Sequence, residues 1–409
     1  MPTRRVLHIG AAGAVVAAAA RRASGQSAPV IRLGVLNDQS STYRDNGGPG
    51  SVACVRQAVA EFASAQGMAV EVLAADHQNK PDIGVGIARQ WFDQGVDALL
   101  DIQGSAVALA VNNLVRERDK VMLATNVAVP DITGKGCTPN TVHWAYDTQM
   151  LSRTAGAAVV RAGGDNWFFI RADYSFGKAL QDDTAASVQR AGGRVLGGVA
   201  MPFPSADFGA ALLQALSSRA KVVAFANGGD DLLNCIKQAG EFGLARRGQM
   251  LAALLLFVNN VHALGLAACQ GLVLTESYYW DLNPRTRAVA ERVVASGFDR
   301  RLKPNMSQAA GYSAALHYLK AAASLGAAEA KRSGAAVVAR MKAMPVEDDV
   351  LGRAVVRADG RVASPTYLFE VKRPEESAGP WDYYKLVAAV PPEEAWRPVA
   401  EGGCPLVAG

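Results

Sequence analysis

The sequence is poor in the side chains that carry out covalent chemistry. It has five histidines and five cysteines in 409 residues. Outside the first 28 residues the histidines are His77, His143, His262 and His317. No two of these stand at i and i+4 around a glutamate, which excludes a zinc-protease helix. There is no G-x-S-x-G elbow for a serine nucleophile and no G-x-x-x-x-G-K-[ST] phosphate loop. The run Gly47 to Ser51 (GGPGS) has no lysine after it and reads as a turn into a helix. The cysteine spacing fits no zinc pattern. Asp182-Asp183 and Asp230-Asp231 are paired acids, but both pairs read as first-turn helix residues that complement the dipole. Neighbouring helix residues also point in different directions, which is poor metal geometry. No catalytic residue, metal site or cofactor is expected, so the chain reads as a binder rather than an enzyme.

An excess of one charge is missing too. Lysine and arginine number 42 against 37 acids, a formal net charge of +5. Four of the arginines (Arg4, Arg5, Arg21, Arg22) fall in the first 28 residues, which carry no acid. Removing them leaves 42 − 4 = 38 basic residues against 37 acidic ones, and nothing resembling a nucleic-acid stripe. No later stretch has the 18 uninterrupted apolar residues of a membrane span, and Met250 to Val258 reads as a buried strand and turn. Val6 to Ala20 is apolar but short of the ~20 residues a spanning helix needs. With Arg4-Arg5 before it and small residues at Ala23 to Ala28 after it, residues 1–28 are expected to form an export signal, cleaved after Gly25 or Ala28. Both the general and the twin-arginine routes fit. A periplasmic location follows, and that compartment permits a disulfide. Cys137 and Cys404 sit in Gly/Pro-rich loops (GKGCTPN and GGCPL) and are expected to be bonded. Cys54, Cys235 and Cys269 lie in apolar contexts and are expected to be buried free thiols.

What is present is a globular composition, half hydrophobic and 19% charged. The length calls for two domains. Apolar strands at Ile31–Asn37, Ala69–Asp76, Ala98–Ile102 and Lys120–Thr125 each precede a helical pattern, so the first unit is α/β with a doubly wound parallel sheet. A second alternation of similar size starts near Thr148. It runs through strands ending at Asp173, Ala200, Asn227 and Trp280, followed by helices over 284–296, 307–324 and 334–344. Two strands around an Asp359-Gly360 turn and one over 381–390 close the chain. Ligands of such sheets bind beyond the carboxyl ends of the strands. Three loops therefore converge: Asp38–Gly48, Gln103–Ser105 and Thr125–Pro130. Ser105 is placed as the N-cap of the helix from Ala106, whose free amides form an anion site.

Three stretches resemble the Leu/Ile/Val-binding branch of the periplasmic solute-binding proteins that serve ABC importers. They are GSAVALAVNNLVRERDKVMLATNVAVPDITGKGC, RADYSFGKALQDDTAASVQRAGGRVLGGVAMPFPSADFGAALLQALSSRAKVVAFANGG and GYSAALHYLKAA. The resemblance spans nearly all of Ile31 to Leu406, and GLVLTESYYWDLN, GPWDYYK and EGGCPLV are closest to an aromatic-acid-binding subgroup. It implies the type I periplasmic binding protein fold, two doubly wound parallel-sheet lobes joined by a hinge, with crossovers near Asp147, Leu272 and Val350. The first lobe would comprise residues 29–147 and 273–350, the second 148–272 and 351–400, with 401–409 as a tail. It also implies a monomer that delivers a small carboxylate to a membrane permease. By the same resemblance, Gln103, Gly104, Ser105 and Ala106 with the backbone of Asn126 and Ala128 hold the carboxylate. The resemblance also has Tyr43 close over the ligand and Phe176 face it from the second lobe; Tyr174 beside it, Asn227 at a strand end on the cleft side and the apolar Phe257 are further candidate ligand contacts. Amino-acid binders of this branch supply an acid from the region that reads LAALLLFVNNVH here, without Asp or Glu. An unbalanced buried ammonium is strongly disfavoured, so the expected ligand is an aromatic or aliphatic carboxylate. Branched-chain amino acids or amides, and a ligand-sensing role at a membrane receptor, are the alternatives.

Overall fold

The computed structural model describes residues 29–407, so the expected export signal lies outside the described residues. The first unit runs β1 (Ile31–Asn37), α1 (Gly48–Gln66), β2 (Val70–Asp76), α2 (Pro81–Asp93), β3 (Ala98–Asp101), α3 (Ser105–Glu117), β4 (Val121–Ala124) and β5 (Thr141–His143). Its five strands form one parallel sheet in the order β2-β1-β3-β4-β5. Both faces are covered, which is why its central strands are continuous apolar runs. Val35 and Leu100 face the cluster that contains Val52 and Val55 of α1. Leu36 and Leu99 face the opposite cluster, with Trp91 of α2 and Val107 of α3.

The second unit runs α4 (Thr148–Arg161), β6 (Asn166–Ala172), α5 (Ser175–Arg190), β7 (Arg194–Met201), α6 (Gly209–Ser217), β8 (Val222–Ala226), α7 (Gly229–Phe242), β9 (Met250–Ala253), α8 (Val258–Leu264), α9 (Leu266–Cys269) and β10 (Val273–Glu276). Helices α10 (Pro284–Arg292), α11 (Met306–Leu325), α12 (Ala327–Arg332) and α13 (Gly334–Lys342) follow. Next come β11 (Val346–Asp348), β12 (Gly352–Val356), β13 (Val362–Ala363), β14 (Thr366–Val371) and β15 (Tyr384–Val390), and then the short helix α14 (Pro392–Ala395). The second sheet has seven strands in the order β15-β14-β10-β9-β8-β6-β7. It is parallel except at β14 and β15, which add antiparallel. Helix α11 is buried almost all round and packs along α1, so it belongs to the first lobe.

Two expected boundaries move. Strand β10 pairs with β9 and β14 inside the second sheet, so the chain leaves that sheet after Glu276, not near Leu272. Strands β12 and β13 pair with each other and with β11 in a separate three-stranded sheet. The chain therefore returns to the second lobe between Ala363 and Thr366, not at Val350. Strand patterns stand at both places, but pattern alone does not say which sheet a strand joins. Asp182 and Asp183 also lie in the middle of α5 rather than its first turn.

At the first crossover the buried Asp147 caps α4 through Met150 N–H (2.8 Å) and pairs with the buried Arg361 (2.6 Å). His143 accepts from the same guanidinium on Nδ1 and donates from Nε2 to the Val127 carbonyl (2.7 Å). Burial, then the adjacent Arg361, pushes His143 down to about 3, so its ring is neutral. Cys137 and Cys404 form a disulfide with Cα atoms 5.6 Å apart, while Cys54, Cys235 and Cys269 are free and buried.

Candidate functional site

The site begins where β3 ends. Asp101 and Ile102 hold φ values of +75° and +48°, left-handed conformations that side chains with a Cβ seldom adopt and that are costly for branched isoleucine. They swing Gln103, Gly104 and Ser105 across the strand end. Gly104 has φ +93°, and a Cβ there would stand 2.5 Å from Asn79 Oδ1, so glycine is required. Helix α3 starts at Ser105 itself, with Gly104 in the cap position and no side-chain cap. This corrects the expected role of Ser105. Its hydroxyl does not cap the helix, and the first-turn amides are left without a side-chain partner. That leaves them available to an anion.

The loop before α1 is braced against this turn. Asp38 accepts from Tyr43 N–H (3.0 Å) and Ser41 N–H (2.8 Å). Gln103 donates from Nε2 to the Tyr43 carbonyl (2.8 Å) and accepts from Asp38 N–H (3.3 Å). Asn126, at the end of β4, accepts on Oδ1 from the hydroxyls of Tyr146 (2.9 Å) and Ser307 (3.2 Å). Beneath the turn the buried Asp101 accepts from Asn37 Nδ2 (2.8 Å), and burial pushes its carboxyl up to about 6.

The second lobe supplies an aromatic wall. Tyr174 and Phe176 flank the first residue of α5, with ring centroids 5.8 Å apart. Phe203, from the loop after β7, lies 4.6 Å from the Tyr174 ring and 6.2 Å from that of Tyr43. The hydroxyls of Tyr43 and Tyr174 bond to each other across the cleft. Arg44 pairs with Asp230 (3.0 Å), and Asn259 donates to the Asp45 carbonyl (2.9 Å). The two lobes are therefore closed on one another along the Ser41–Asn46 loop.

Between the walls lies a cavity of about 210 Å³. Tyr43, Gln103, Gly104, Ser105, Ala106, Asn126 and Ala128 line it from the first lobe, and Tyr174 and Phe176 from the second. Two expected residues do not line it. Asn227 is fully buried at the end of β8, and Phe257 is fully buried behind Tyr146, edge-on at 6.0 Å. Asn46, Asn79, Tyr146, Phe203 and Leu255 line the cavity without having been anticipated. Asn46 falls in the converging Asp38–Gly48 loop, Tyr146 beside the first crossover, and Phe203 and Leu255 in stretches already quoted, but nothing in the local pattern marks these side chains, or Asn79, as the ones that reach the cavity. No lining side chain carries a charge, since burial raises the phenols of Tyr43, Tyr146 and Tyr174 further above neutrality. A larger groove of about 440 Å³ on the other side of the same loop is lined partly by Arg44, Asp45, Asp299 and Lys303. It gathers charged groups from helix flanks rather than strand ends. No cluster of metal-ligating residues occurs among the described residues.

A family model described as periplasmic binding protein matches residues 30–379. A periplasmic binding protein from Burkholderia mallei is 43% identical, covers 92% of this chain and 99% of its own, and superposes with a TM-score of 0.86. A branched-chain amino acid ABC transporter periplasmic ligand-binding protein from Burkholderia xenovorans is 36% identical over 92% of this chain and 99% of its own, with a TM-score of 0.83. An ABC-transporter solute-binding protein from Rhodopseudomonas palustris, solved with p-hydroxybenzoic acid, shares the fold at 20% identity, covering 90% of this chain and 99% of its own with a TM-score of 0.81. No curated protein matches the chain.

Proposed function

The chain belongs to the periplasmic binding protein family, and we propose that it is the substrate-binding component of an ABC importer, monomeric in the periplasm, that closes on a small aromatic carboxylate. The observation that carries this reading is the asymmetry of an uncharged cavity. One wall offers peptide amides at an uncapped helix start, and the other offers Tyr174, Phe176, Phe203 and Leu255. The carboxylate docks on the amides of the Gly104–Ala106 turn and near Asn126 and Ala128. The ring lies against the aromatic wall. Closure is a hinge motion in which the Tyr43–Tyr174 contact forms over the ligand, so ligand contacts favour the closed state.

The magnitudes are sufficient. Burying a ring of ~150 Å² at ~25 cal/mol per Å² contributes a few kcal/mol. Each charge-assisted bond to the carboxylate adds ~1.5–3 kcal/mol before the cost of association. A dissociation constant of about 1 μM corresponds to about 8 kcal/mol, within that range. A binding role without turnover is the one that family membership supports. The second reading is a branched-chain amino acid, which the Burkholderia xenovorans relative supports. Against it stands the lining, which contains no carboxylate to balance an ammonium. A ligand-sensing role would use the same cavity with a receptor in place of the permease.

A thermal-shift panel of amino acids, benzoates, cinnamates and fatty acids tests the proposal. Stabilisation by aromatic carboxylates is expected. Stabilisation by leucine but by no aromatic acid would overturn it.

A further inference from the structure

The cavity holds a polar side chain that neither the carboxylate cradle nor the fold accounts for. Asn46 is 3% exposed and lines the cavity, yet neither end of its side-chain amide has a hydrogen-bond partner among the described residues. Its backbone is fixed, because the carbonyl accepts from Asn305 Nδ2 (3.0 Å) and its N–H donates to the Tyr43 carbonyl (2.9 Å). The amide is thus held at the cavity by a rigid support and is not an exposed loop residue free to turn to solvent. With both ends of the amide open to the cavity, a neutral group that both donates and accepts is its natural complement.

Tyr146 provides the second half of the same corner. It also lines the cavity, and its hydroxyl hydrogen is given to Asn126 Oδ1 (2.9 Å), which leaves the oxygen able to accept. Asn46 and Tyr146 meet the same helix start, that of α11. Asn305 holds the former, and Ser307 shares Asn126 with the latter. A second anion is a poor fit here. No charged side chain lines the cavity to balance it, and the free amides of the α3 turn are already taken by the first carboxylate.

We infer that Asn46 is a specificity-determining residue that reads a hydroxyl on the ring of the bound carboxylate, with the Tyr146 oxygen beside it. This rests on the reading that the cavity takes aromatic carboxylates. The carboxylate head occupies the amide turn of α3, and the neutral substituent occupies the corner at α11. The cavity therefore selects a hydroxylated aromatic acid over the bare acid, and both over an acid with a second carboxylate.

The test is calorimetric titration of the full chain with benzoate, 4-hydroxybenzoate and terephthalate, and with cinnamate and 4-hydroxycinnamate. In at least one hydroxylated pair the hydroxy acid is expected to bind about tenfold more tightly than its parent. Terephthalate is expected to bind more weakly than benzoate. In Asn46→Leu the hydroxyl preference collapses to within about twofold. Equal affinities within both pairs in the wild-type protein, or a preference that survives in N46L, would overturn the inference while leaving the aromatic-carboxylate reading standing. Absence of binding by every one of these acids would overturn that reading and this inference with it. If N46L fails to fold, Asn46→Ala is titrated in its place with the same collapse expected, and a preference that survives there overturns the inference.

Discussion

The cleft is walled by two versions of one structural unit. In the first lobe β3 runs into α3 through Gly104-Ser105-Ala106, and in the second β6 runs into α5 through Tyr174-Ser175-Phe176. Both helices start at a serine, and neither has a side-chain cap. The first turn carries small residues and a left-handed glycine, so its amides lie open to an anion. The second carries rings on both sides of the serine and presents apolar surface. On the proposed reading, the same free helix start serves as a cradle in one lobe and a lid in the other. Neither wall brings a charged side chain to the cavity, so the division rests on free amides against rings.

Changes to the two walls should break this division to different degrees. The largest effect is expected from Leu255→Glu, which puts an acid on the apolar wall. An unpaired charge facing the ligand carboxylate should weaken benzoate binding by more than about 100-fold, and a loss below tenfold by calorimetry would refute the wall assignment. The next effect concerns the ground beneath the polar wall. Burial raises Asp101 from 3.8 to about 6. Between those values the folded protein keeps a proton that the unfolded chain has released. Stability should therefore fall as pH rises from about 4 to about 6, by about 3 kcal/mol in all, and level off above. Asp231 is raised likewise, so the comparison is with Asp101→Asn, in which this component should disappear from chemical-denaturation curves taken between pH 4 and 7. Tyr174→Ala removes one ring and the hydroxyl contact to Tyr43, and should cost about 30-fold in affinity. The smallest change, Ser105→Ala, removes one hydroxyl from a cradle built mainly of amides and should cost about fivefold. If S105A proved worse than Y174A in a parallel titration, the hydroxyl and not the amides would dominate the polar wall.

Much of the first wall was legible in the sequence, because each piece of it is local. The strand–turn–helix at Ala98–Leu114 and the convergence of three strand-end loops follow from patterns a few residues long, while the ring at Tyr43 came from the family resemblance. The position of Ser105 was misjudged by one residue, since the positive φ values at Asp101 and Ile102 come from tertiary constraint and not from propensity. The second wall was half legible. Tyr174 and Phe176 sit at a recognisable strand end, but Phe203 reaches the cleft from a loop whose path depends on the packing of its lobe. Within LAALLLF, seven similar apolar residues gave no sign that Leu255, rather than Phe257, would line the cavity. The misplaced crossovers have the same cause. The sheet that β10 joins is decided by strand pairing across about 90 residues, not by its own pattern.

The most direct test of the whole account is a matched pair that differs by a single charged group. Calorimetric titration with 3-phenylpropanoate and with L-phenylalanine compares the same ring and carboxylate without and with an ammonium. The account predicts that 3-phenylpropanoate binds at least about 100-fold more tightly, because no acid in the cavity can balance the ammonium. Equal or tighter binding of L-phenylalanine would contradict it.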